Sequence, residues 1–86
     1  MHPLRKLLVG TLLALTLSFP AFALEKFSSE GEAQQHCPTD TVVWLNLPTM
    51  IWHYKGERWY GRTKKGAFVC EKEAAASGGR STHNGQ

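Results

Sequence analysis

Cys37, Cys70, His36 and His53 are the side chains of this chain best equipped for chemistry. The two cysteines can join as a disulfide. As thiolates beside the two histidines they can instead hold a metal ion. Structural zinc sites draw on short ligand pairs such as C-x-x-C, and this chain contains no such pair. An even cysteine count in a short exported chain reads as a disulfide. The expected bridge is therefore Cys37–Cys70, across 33 positions (70 − 37). A structural metal module is the weaker reading, and no metal ligand or cofactor is expected. A thiol at Cys37 activated by His36 is a third, weaker state.

His53 is the histidine placed inside the expected fold. As a general base it needs a positioned carboxylate, and Asp40 and Glu57 are the candidates. This is the alternative reading, a small hydrolase. No serine elbow, phosphate-cradling glycine loop or paired-histidine helix accompanies it. A strand histidine between Trp52 and Tyr54 suits a structural role, so no catalytic residue is assigned.

The third constellation is basic and aromatic. Arg58, Trp59, Tyr60, Arg62, Lys64 and Lys65 fall within eight positions (65 − 58 + 1). Cations interleaved with stacking rings suit single-stranded nucleic acid, and equally an anionic cell-envelope polymer or an acidic protein. These six residues are the expected ligand-binding set, on a domain expected to be a monomer.

The compartment follows from the N-terminus. Arg5 and Lys6 precede an apolar run from Leu7 to Phe19, Pro20 breaks it, and Ala21-Phe22-Ala23 completes a signal-peptidase pattern. The run is short against the roughly 20 residues of a spanning helix. Residues 1–23 thus read as a secretory leader, and the remainder as periplasmic or secreted, without a membrane anchor. Losing Arg5 and Lys6 takes the formal charge from +3 to +1 (3 − 2). So weak a charge gives no general argument for nucleic acid or membrane, and the basic segment must act locally.

The elements that must position these groups are few. Residues 24–36 are polar and read as a flexible lead-in. Thr41–Leu45 and Met50–Tyr54 are β-branched and aromatic, joined by the turn formers Asn46–Thr49. Ala67–Val69 reads as a third strand, and Glu71–Ser77 as a helix ended by Gly78. Alternation puts Val42, Trp44 and Asn46 on one face of the first strand, with Val43 and Leu45 on the other. The expected fold is α+β, a small antiparallel hairpin or meander with one short C-terminal helix and one disulfide. It occupies residues 37–80, with a flexible tail over 81–86.

Taken together, Cys37-Pro38-Thr39-Asp40-Thr41-Val42-Val43-Trp44-Leu45-Asn46, His53 with Gly56, Tyr60-Gly61-Arg62-Thr63-Lys64-Lys65-Gly66-Ala67-Phe68 and Cys70-Glu71 resemble a family of small exported proteobacterial proteins. The resemblance implies export, paired cysteines and compactness, and it implies no activity. Trp52-His53-Tyr54-Lys55-Gly56, Tyr60, Ala74 and Gly78-Gly79-Arg80 also resemble the hairpin-and-helix core of Ada-type repair domains. Those domains bind zinc through four cysteines. Glu57 stands where that likeness expects a cysteine, so it implies the shape, with the arginine packing back, and neither zinc nor methyl transfer.

Overall fold

The computed structural model describes residues 23–82. The expected leader lies outside the described residues except for Ala23, and residues 83–86 of the expected tail also lie outside them. The element order is α1 (Glu30–His36), β1 (Val42–Asn46), β2 (Ile51–His53), β3 (Gly66–Cys70), α2 (Glu71–Ala76) and β4 (Arg80–Ser81). The fold is α+β with one disulfide, Cys37–Cys70.

The strands form one sheet in the order β3-β1-β2-β4. β1 and β2 make the expected hairpin, with Trp44 opposite His53 and Asn46 opposite Ile51. The turn is closed by the Met50 N–H donating to the Asn46 carbonyl at 2.8 Å. A meander would set β3 beside β2. Instead β3 returns along the free edge of β1, pairing Val42 with Cys70 and Asn46 with Gly66. The intervening segment, residues 54–65, is long enough to cross one face of the sheet before β3 begins.

Three further features differ from the sequence expectation. β4 runs parallel to β2, so the sheet is mixed. Ser81, assigned by sequence to a flexible tail, pairs with Trp52 and is buried. Arg80 joins the hairpin through its backbone while the residue itself is exposed. The stretch read as a flexible lead-in holds α1 and an isolated antiparallel bridge between Phe27 and Phe68. Its order has a physical cause. The Ser29 hydroxyl caps α1 by accepting from the Glu32 N–H at 3.1 Å, and Ala33 is fully buried. Cys37 sits at the C-cap of α1, so the disulfide ties this helix to the end of β3.

Alternation separates two faces as expected. Val43, Leu45, Trp52, Ala67 and Val69 form the core on one face, closed by Ala74 of α2. Each large apolar side chain buried there contributes about 1.5–3 kcal/mol. The other face carries Trp44, His53 and Phe68, which share a register row. Trp44 is buried there, with the Phe68 ring edge-on at 4.9 Å.

Candidate functional site

Trp44 also fixes the basic segment. Its indole Nε1 donates to Thr63 Oγ1 at 2.7 Å, holding residues 59–64 close to the sheet. The segment is a chain of turns, closed by Glu57 N–H to the Tyr54 carbonyl, Tyr60 N–H to Glu57 and Arg62 N–H to Trp59. Gly56 and Gly61 take positive φ, +95° and +70°, where side chains are strained. The glycines of the basic segment are therefore turn residues that aim its side chains.

Between this segment and the β2 end of the sheet lies a cleft of about 480 Å³. Trp59, Arg62 and Lys64 of the basic segment line it together with Thr49, His53 and Thr82. Its volume falls within the roughly 300–1,000 Å³ of small-ligand sites. Trp59 is the one large hydrophobic residue exposed among the described residues, at 38%. The Arg58 guanidinium carbon lies 4.9 Å from its ring centroid, within cation–π range.

Two lining residues hold buried polar atoms that lack a hydrogen-bond partner among the described residues: His53 Nδ1 and Thr82 Oγ1. A buried polar atom left unpaired costs about 1–3 kcal/mol. His53 itself is 5% exposed.

The six residues expected from sequence therefore divide. Trp59, Arg62 and Lys64 line the cleft, and Arg58 stands against Trp59. Lys65 is exposed, and its backbone carbonyl accepts from the Leu47 N–H at 2.9 Å. Tyr60 turns the other way. Its hydroxyl donates to Glu30 Oε1 of α1 at 2.6 Å, and its ring meets Phe68 edge-on. Sequence reasoning passed over Thr49 and Thr82, which carry no motif. Only the approach of β4 to β2 brings Thr82 to the cleft.

The carboxylates proposed for a hydrolase are engaged elsewhere. Asp40 accepts from the backbone N–H groups of Thr41 and Lys72, and Glu57 from that of Tyr54. Neither supplies a partner to His53 Nδ1. The cleft thus presents an exposed ring and two cations.

The Tyr60–Glu30 contact makes a pH-dependent strap between α1 and the basic segment. Hydrogen bonds from Tyr60 and then Lys55 hold the Glu30 carboxyl below its ordinary 4.5. Burial, followed by the Glu30 contact, pushes the Tyr60 phenol well above its ordinary value of 10. A lowered carboxylate pKa stabilises the fold above the ordinary value, and that contribution is lost as pH falls through the lowered one. Tyr60→Phe is expected to move the Glu30 carboxyl back toward 4.5. NMR titration of its side-chain carbon reads the change, and an unshifted midpoint would show the strap to be absent.

No protein-family model, curated protein or solved structure matches this chain. Among the described residues, no helix is long and apolar enough to cross a membrane.

Proposed function

We propose that this protein is an exported binding module. It takes an anionic polymer with ring-bearing units, such as single-stranded nucleic acid or a cell-envelope glycan, in the cleft beside Trp59. The observation that carries this reading is the convergence on one cleft of an exposed indole and the cations of Arg62 and Lys64. The ring of Trp59 stacks on a flat ligand unit, and the two cations pair with its negative groups. Stacking of a base on an aromatic contributes about 1–3 kcal/mol, and each cation releases condensed counterions. The disulfide supports the export assignment, because such bonds persist in oxidising compartments.

Oligothymidylate and an anionic envelope polysaccharide are suitable probes, followed by tryptophan fluorescence across a salt series. The double variant Arg62→Ala/Lys64→Ala is expected to weaken the better probe by about tenfold or more. With a nucleic-acid probe, the log–log salt slope should shrink by roughly 1.4, or about 0.7 for each lost cation. Both side chains are exposed, so the circular dichroism spectrum should be unchanged. Equal affinity and equal slope in the folded variant would remove this cleft as the binding site.

A further inference from the structure

A second constellation lies at the disulfide, on a different part of the fold from the cleft. Among the described residues, His36, Cys70 and Glu73 each bring one donor atom within 4.8 Å of the others. Cys37 is not one of that group; its Sγ adjoins it through the bond to Cys70 Sγ. The four residues come from the end of α1, its C-cap, the end of β3 and the first turn of α2.

We propose that, once the disulfide is reduced, Cys37 Sγ, Cys70 Sγ, His36 Nε2 and Glu73 Oε2 bind one zinc-class divalent cation. Two thiolates, an imidazole and a carboxylate make up a four-donor set of the kinds zinc takes in tetrahedral sites. The sequence offers His36, Cys37 and Cys70 as possible ligands, with His53 in place of Glu73, but no short ligand pair marks them. The ligand-pair rule looks for C-x-x-C, whereas here the pair is the adjacent His36-Cys37 and Glu73 lies three positions beyond Cys70.

The surroundings are built as an outer shell should be. Glu73 Oε1 accepts from the Glu25 backbone N–H at 3.1 Å, while Oε2 lies 2.7 Å from His36 Nε2. One carboxylate oxygen is thus anchored and the other faces the histidine. The His36 ring packs against Phe27, centroids 5.3 Å apart, which limits its rotation. Outer partners of this kind orient metal ligands and tune affinity. The His36 side chain is 37% exposed and that of Glu73 16%, so an ion can enter from solvent while Cys70 stays buried. With metal–N and metal–O bonds of about 2.0–2.1 Å and metal–S bonds of about 2.3 Å, the 2.7 Å His36–Glu73 contact must open by roughly 0.6 Å and the two sulfurs, once reduced, must part to roughly 3.8 Å.

The redox step balances with a dithiol as reductant. It gives two electrons and two protons to the Cys37–Cys70 bond and itself becomes a disulfide. The protein's S–S bond breaks and two S–H bonds form. On binding the cation, the two thiols release their protons to solvent. The same four residues then join α1 to the end of β3 through either of two links, a covalent one when oxidised and a metal-bound one when reduced.

The test uses the chain from Ala23 or Leu24 onward, reduced anaerobically with a phosphine, which becomes its oxide while water supplies the oxygen. Zinc binding is followed by competition with a chromogenic chelator. One zinc per chain is expected in the reduced form and none in the oxidised form. Cobalt(II) should give a tetrahedral spectrum with sulfur-to-metal charge transfer. His36→Ala and Glu73→Gln should each weaken binding to the reduced chain by about tenfold or more. If reduction unfolds the chain, zinc should restore the far-UV circular dichroism of the oxidised form. The proposal fails if Cys37→Ser/Cys70→Ser binds as tightly as the reduced parent. It fails equally if both His36→Ala and Glu73→Gln match the parent, since thiols alone would then suffice, or if zinc does not restore the spectrum.

Discussion

Replacing Cys37 and Cys70 together by alanine is expected to lower the melting temperature by roughly 15–30 °C, in chelator and at neutral pH. The bond closes a span of 33 residues. Chain entropy in the unfolded state then makes it worth about 3–4 kcal/mol. A domain of this size shifts by roughly 4–8 °C for each kcal/mol. The core cannot absorb such a loss easily, because a domain this small rarely holds more than ~3–5 kcal/mol in total. The loss should also be uneven. α1 buries Ala33 alone, and the bond is its covalent tie to β3, beside the exposed or part-buried side-chain contacts Glu30–Tyr60 and His36–Glu73. Hydrogen exchange should therefore rise first across residues 30–36 and last in β1, where Val43 and Leu45 are fully buried. A fall below about 5 °C by thermal circular dichroism would show that the sheet holds itself together without the bond.

The hairpin, the third strand and the second helix could be read from the sequence because each satisfies a local rule. β1 is a run of β-branched and aromatic residues, and α2 is an acidic first turn followed by alanines. What escaped depends on partners distant in sequence. α1 is polar but for Ala33, so composition alone suggests disorder. The hint was Ser29-x-x-Glu32, a capping-box spacing just before the helix. β4 is two residues long, too short for any propensity signal. It forms because Gly78, at φ +94°, and Gly79 turn the chain back over α2 toward Met50, with Gly79 N–H donating to the Ala74 carbonyl. The cleft was half legible. The basic aromatic run was plain, but the separation of Tyr60 from Trp59 depends on Glu30, an element that composition assigned to the lead-in.

The same substitution at two glycines should have opposite effects, and the contrast tests how Trp44 positions the basic segment. At Gly66 a β-carbon would lie 2.3 Å from Trp44 Cζ2 and 2.6 Å from its Nε1. The φ there is not positive, so the obstacle is purely steric. The indole has little room to yield, with Phe68 against it and Nε1 bonded to Thr63. Gly66→Ala therefore forces Trp44 out of its seat. Overpacking costs about 1–3 kcal/mol. An indole N–H stripped of its acceptor while buried costs a similar amount. A combined loss near 3 kcal/mol, or roughly 12–24 °C in melting temperature, is expected. Gly31 lies within α1, is exposed, and would bring its β-carbon within 4 Å of nothing. Gly31→Ala should raise stability by about 0.5–1 kcal/mol, since alanine restricts the unfolded chain and favours helix. The pair also separates stability from binding. Moving Trp44 frees Thr63, and with it the neighbours Arg62 and Lys64, so Gly66→Ala should lose affinity for the anionic probe even well below its melting point. Gly31→Ala should bind as the parent does. Equal melting of the two variants would mean that Trp44 is not wedged as described. A destabilised Gly66→Ala that still binds fully would mean that the cleft does not depend on the indole holding the segment in place.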